Sequence, residues 1–178
     1  MAISKSAGNK PIIQTAFVVP DIRAAIGMWA KDLGVGPWFL VESITGDDPE
    51  YRGQSTDATF TLATAFAGDM QIELIEMDDE RPSVFREWVD KRGYGLHHLA
   101  IGSEDVEADV RKYQGKGYER VFSCGSPLGG RIAFMSAGVD KPAMVEIIPM
   151  TEAVVEFHKM SREACESWDG VDPIRALG

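Results

Sequence analysis

Four polar side chains interrupt apolar runs in this chain, and their types suit the binding of a divalent cation: Gln14, Glu73, His98 and Glu146. His98 is one of three histidines and stands in Gly95-Leu96-His97-His98-Leu99-Ala100-Ile101, shortly before Asp105. Imidazole is the commonest protein metal ligand and titrates near neutrality. Glu73 lies in Gln71-Ile72-Glu73-Leu74-Ile75 and Glu146 in Met144-Val145-Glu146-Ile147-Ile148. Strand alternation sets Ile72 and Leu74 opposite Glu73, and Val145 and Ile147 opposite Glu146. A carboxylate on the inner face of such a strand is costly to desolvate unless it is paired or bound to a cation, and two of them repel. The competing reading is a sheet with one wet face, where polar-out alternation is ordinary and Gln14 is a solvated strand start.

The elements around these residues repeat. Pro11 to Val19 reads as a strand, after which Asp21 caps a helix carrying Ala24, Ala25, Met28, Trp29 and Leu33 up to Gly34. Further strands follow at Trp38 to Ser43, Thr56 to Phe66 and Met70 to Met77, with a charged loop at Gly46 to Gly53. Asp78 to Gly95 is a linker with a short helix around Phe85, Trp88 and Val89. The order then recurs: a strand from Leu96, a helix opened by Asp105, and strands at Tyr118 to Cys124, Arg131 to Ser136 and Pro142 to Pro149. Thr151 to Ser167 reads as a closing helix with Val154, Val155, Phe157 and Met160 available for packing, and the tail from Trp168 as irregular. Gln14 to Asp21 lies over His98 to Asp105, and Gln71 to Ile75 over Met144 to Ile148. Such a repeat makes single-residue matches less a matter of chance. The expectation is one α+β domain over 1–178: a first β-α-β-β-β module at 11–77, the linker at 78–95, a second module at 96–149, and a C-terminal helix and tail at 150–178. Packed about a pseudo-twofold axis, Gln14, Glu73, His98 and Glu146 would converge. One nitrogen and three oxygens suit a six-coordinate divalent cation with positions left for water or substrate. His97 would then face away from His98, and His158 sits in the last helix as a surface or core residue.

Composition bounds the alternatives. The chain has 178 residues, 44% hydrophobic and 26% charged, with a formal net charge of −10, which disfavours nucleic acid and anionic membranes as partners. Cys124 and Cys165 form no ligand-type spacing and no disulfide framework, no apolar run approaches the ~20 residues of a membrane span, and Met1 to Lys10 lacks a signal-peptide core. A cytoplasmic protein is expected.

The duplicated β-α-β-β-β order with these motifs resembles the vicinal oxygen chelate superfamily of glyoxalase, bleomycin-resistance and extradiol dioxygenase proteins, over roughly Pro11 to Pro149. Gly95-Leu96-His97-His98-Leu99-Ala100 and Glu73-Leu74-Ile75-Glu76 look like methylmalonyl-CoA epimerase relatives. Gln14-Thr15 is similar to the start of animal-type glyoxalase I, where glutamine replaces the histidine usual in epimerases. The resemblance implies a glyoxalase-like curled mixed sheet and the same four ligands, Gln14, Glu73, His98 and Glu146, around one divalent ion (Zn, Ni, Co, Mn or Mg). It implies a small-molecule carbonyl or thioester substrate, a homodimer, and enolate chemistry of the isomerase, epimerase or lyase kind. By the same resemblance Glu146 is a base, as in glyoxalase I, or a residue on the third strand of the first module is, for which Asp57 stands in the matching stretch. Two alternatives accompany this reading: lactoylglutathione lyase, from Gln14, and a non-catalytic binding or resistance protein with Trp38 or Phe39, Phe60, Phe66 and Trp88 lining a cavity. An iron dioxygenase fits less well, because such enzymes use two histidines and a carboxylate and Gln14 stands where the first histidine belongs.

Overall fold

The structure is a computed structural model that describes residues 10–177. The first module consists of β1 (Ile12–Val18), α1 (Ile22–Leu33), β2 (Trp38–Ile44), β5 (Phe60–Ala67) and β6 (Met70–Met77), with a hairpin of β3 (Asp47–Tyr51) and β4 (Gln54–Ser55) inserted. The linker carries α2 (Val84–Arg92). The second module is β7 (Gly95–Ser103), α3 (Val106–Gln114), β8 (Glu119–Gly125), β9 (Arg131–Ser136) and β10 (Met144–Pro149), followed by α4 (Glu152–Glu166) and β11 (Ile174–Ala176).

The strands of the described residues join one 11-stranded mixed sheet in the order β11-β2-β5-β6-β1-β7-β10-β9-β8-β3-β4. Each module therefore repeats one plan: its first strand runs parallel to its last, and the two first strands meet antiparallel at the centre. The helices open as their sequences dictate. Asp21 Oδ1 accepts from the Ala24 amide at 2.8 Å and Asp105 Oδ1 from the Ala108 amide at 2.9 Å, satisfying first-turn N–H groups. Gly34 takes the left-handed conformation that stops α1. Both helices cover the convex face, α1 over Trp38, Ala63, Ala65 and Leu74, and α3 over Ile101, Ala133, Met135 and Ile147.

The polar segment read as a loop at Gly46 to Gly53 is instead the β3–β4 hairpin, which extends the edge of the second module by pairing with β8. β2 and β3 stand near opposite ends of the strand order, yet only Thr45 and Gly46 connect them. Three Cα steps reach at most about 11 Å, so the sheet must curl until its two ends approach. Gly46 is needed at that crossing: it has φ +79°, and a Cβ there would lie 2.7 Å from Cys124 Sγ. The tail is not wholly irregular either, because β11 adds to β2 in parallel. Within α4, Val154 is buried and Phe157 packs on Phe39, whereas Val155 and Met160 are exposed. No helix among the described residues is long and apolar enough to cross a membrane.

The concave face holds the other core, in which Val84, Phe85 and Trp88 of α2 pack against Phe60 of the first module and Phe122 and Phe134 of the second. The linker helix thus fills one region of the cup and ties the halves together.

Candidate metal centre

Register fixes which side chains share the concave face. One row across the sheet runs Phe39, Thr64, Glu73, Ala16, His98, Met144. The adjacent row runs Phe66, Gln71, Gln14, Ala100, Glu146, Phe134. At the centre the rows hold Glu73-Ala16-His98 and Gln14-Ala100-Glu146. The pairings Gln14 with Ala100 and Ala16 with His98 exchange under the repeat, as do Gln14 with Gln71 and His98 with Met144. Two fully buried alanines separate the larger polar side chains, so curvature can draw those side chains together above small methyl groups.

Glu73, His98 and Glu146 do converge, with one ligand atom from each within 4.8 Å of the others. His98 Nε2 lies 3.1 Å from Glu146 Oε2 and 3.3 Å from Glu73 Oε2. Neither oxygen sits where an N–H bond would point, and Nε2 has no hydrogen-bond partner among the described residues. His98 is fully buried, and the side chains of Glu73 and Glu146 are only 12% and 8% exposed. Burial pushes the Glu73 carboxyl up, although the neighbouring His98 opposes this. Burial alone would lower the His98 imidazole, but the charges of Glu146 and Glu73 outweigh it and raise the group to about 9.

Gln14 is buried on the same face, its amide nitrogen donating to Gln71 Oε1 at 3.0 Å while its own Oε1 has no partner among the described residues. Gln14 Oε1 and His98 Nε2, both buried without a hydrogen-bond partner among the described residues, together with two carboxylates, are the donor set a hard or borderline divalent cation takes once Nε2 gives up its proton. The residues present fit such an ion.

Asp57 is not brought into this cluster. It precedes β5, its side chain is 83% exposed, and it lies 3.5 Å from Arg81 Nε. Its neighbours of like parity, Thr59 and Thr61, bind Asp79 and Asp78 away from Thr64 and Glu73. The aromatic side chains considered as cavity walls are largely packed: Trp38 lies in the convex core, and Phe60 and Trp88 in the concave one. His158 rests on Phe66, with ring centroids 5.7 Å apart.

His97 departs from strand alternation. Phe17 pairs with Leu96 and Ala16 with His98, so His97 is the extra residue of a bulge. Its ring lies beside His98 rather than on the opposite face, with Nδ1 2.9 Å from His98 Nδ1 and Nε2 3.4 Å from the Val84 carbonyl. Burial, reinforced by His98, holds the His97 pKa well below its ordinary value. Local alternation carries no sign of a bulge. The doubled histidine was the one available signal.

A curled mixed sheet built from two β-α-β-β-β repeats, with a polar cluster on its concave face at the junction, defines the glyoxalase-like class. Residues 13–134 match the family model described as the Glyoxalase/Bleomycin resistance protein/Dioxygenase superfamily, and the chain belongs to that superfamily. Among solved structures it is similar to methylmalonyl-CoA epimerase from Mycobacterium tuberculosis, at 23% identity over 87% of this chain and 97% of that one, with a TM-score of 0.59. A hypothetical protein from Bacillus halodurans is similar at 19% identity over 80% of this chain and 96% of that one, with a TM-score of 0.60. A Streptomyces coelicolor methylmalonyl-CoA epimerase variant in complex with 2-nitronate-propionyl-CoA is similar at 20% identity over 81% and 96%, with a TM-score of 0.55. At these identities the likeness shows the fold. No curated protein matches the chain.

Proposed function

We propose that the protein is a divalent-metal-dependent isomerase, epimerase or lyase that moves a proton beside the carbonyl of a small carbonyl or thioester compound. The observation that carries this is the convergence of Glu73, His98 and Glu146 on the concave face, contributed by both repeats. In this reading Glu73, His98 and Glu146, with Gln14, hold the ion. A divalent cation there would supply Lewis-acid stabilisation of the oxyanion that develops as the proton leaves. Glu146 Oε2 is the candidate base, since Asp57 stands apart in solvent. Phe134 and Met144, buried beside the cluster, give it an apolar flank.

The direct test is α-proton exchange. Metal-loaded protein in deuterium oxide should exchange the α-proton of at least one compound in a panel of acyl thioesters and α-keto acids, and Glu146→Gln should remove that exchange. Failure across the panel by a protein shown to hold metal would discard the enolate reading. Gln14, a glutamine where epimerases usually carry histidine, supports a second reading, lactoylglutathione lyase. Turnover of the hemithioacetal of methylglyoxal and glutathione supports it, and its absence with metal bound removes it. A homodimer belongs to the proposal as well. The outer strands of the sheet, β11 and β4, are only 3 and 2 residues long, so such a dimer would join through faces or helices; light scattering gives the mass.

A further inference from the structure

We propose that His97 is a positioning residue of this centre, holding a proton on His98 Nδ1 so that Nε2, beside Glu73 and Glu146, is the nitrogen left to bind a cation. The proposal rests on the metal reading above. The Val84 carbonyl only accepts, so the His97 nitrogen facing it, Nε2, is an N–H. The His97 ring is enclosed by Phe85, Trp88 and Phe134, with centroids 4.9, 5.5 and 5.9 Å away. A second proton would make it a buried charge against aromatic rings, which is costly without a counter-charge. Its Nδ1 is therefore a lone pair. The 2.9 Å contact between the two Nδ1 atoms needs one proton, and His98 supplies it. The two carboxylates beside Nε2 favour a second proton there in the metal-free protein, and a cation that displaces that proton meets the Nε2 lone pair while Nδ1 stays protonated.

The bulge is what permits this arrangement, since regular alternation would send the two rings to opposite faces. The chain of contacts ends at Val84, the first residue of α2, so the linker helix takes part in orienting a ligand supplied by the second repeat. Outer partners of this kind both set the tautomer of a metal-binding histidine and strengthen it as a donor.

The test uses full-length, 15N-labelled protein, metal-free and zinc-loaded. The wild type should show a 15N–15N coupling across a His98 Nδ1–H···Nδ1 His97 hydrogen bond, with the other His97 proton on Nε2. His97→Phe should abolish the coupling and weaken zinc binding by about 10- to 100-fold in chelator competition, with circular dichroism unchanged. His97→Asn, which retains an acceptor, should recover most of the affinity. A proton on His97 Nδ1 in the wild type overturns the proposal even if the variants do not fold. Equal weakening by Phe and Asn also overturns it, because packing alone would then account for the effect. A wild type that shows the coupling yet takes up no zinc overturns the metal reading and the role with it, while the proton placement stands.

Discussion

The two repeats share a backbone plan but orient their polar residues by different means. In the first, Gln14 is held by its strand partner Gln71, side chain to side chain, within a regular ladder. In the second, the equivalent partner is Met144, which offers no such bond, and His98 is instead held by its chain neighbour through a bulge. The edges differ too: the first repeat is extended by the three-residue β11 and the second by the β3–β4 hairpin. A duplicated scaffold thus brings four positions together by symmetry, while the chemistry at each is adjusted locally. The centre is a pseudo-twofold cluster of unlike side chains.

Substitutions can break this comparison in order of expected effect. Ala16→Leu and Ala100→Leu place bulk between Glu73 and His98, or between Gln14 and Glu146. By the exchange symmetry of their positions both should destabilise by about 1–3 kcal/mol through overpacking. Both should also lower metal uptake. Urea unfolding with elemental analysis reads both quantities, and a large effect at one alanine alone would contradict the equivalence. Gln71→Met copies into the first repeat the residue found at the matching place in the second. It strands the buried Gln14 amide and should cost about 1–3 kcal/mol, read as a lower urea midpoint at unchanged slope.

The smallest effect concerns the tie between the hairpin and α2. Arg52 makes a two-bond contact with Glu87, which Tyr51 and Lys91 also reach. The Arg52 guanidinium, against the opposing effect of burial, holds the Glu87 carboxyl down at about 2. A carboxyl depressed on folding stabilises the protein fully above its ordinary pKa, and that stability is lost as pH falls toward the folded value. Stability should therefore decline between about pH 4.3 and pH 2, and Glu87→Gln should flatten that part of the profile. Because Arg52 is 46% exposed, solvent screening limits the effect to about 1 kcal/mol or less.

Much of this architecture was legible in the residues. The helix-opening aspartates Asp21 and Asp105 cap as their type predicts, and the alignment of Gln14 with His98 and Glu73 with Glu146 reappears as equivalent sheet register. Repeated local patterns survive folding because they specify local structure. What was hidden depends on distant partners. Asp47–Tyr51 is charged and contains Pro49, a composition that reads as loop, and becomes a strand only because β8 offers an edge. Ile174–Ala176 is too short to show a period and depends on β2 in the same way. The His97 bulge is a register shift against β1, invisible to alternation within β7. Asp57 was placed by extending β5 too far toward its N-terminus, whereas the strand starts at Phe60.

The central claim is that the repeats build one divalent-cation site from Glu73, His98 and Glu146. The most direct measurement is metal content by elemental analysis, after loading with zinc, nickel, cobalt or manganese and removing excess, for wild type, Glu73→Ala and Glu146→Ala. The account predicts one ion per chain in the wild type and loss of it in both variants, with folding retained. A wild type that holds none of these ions, or variants that hold them as well as the wild type does, would contradict it.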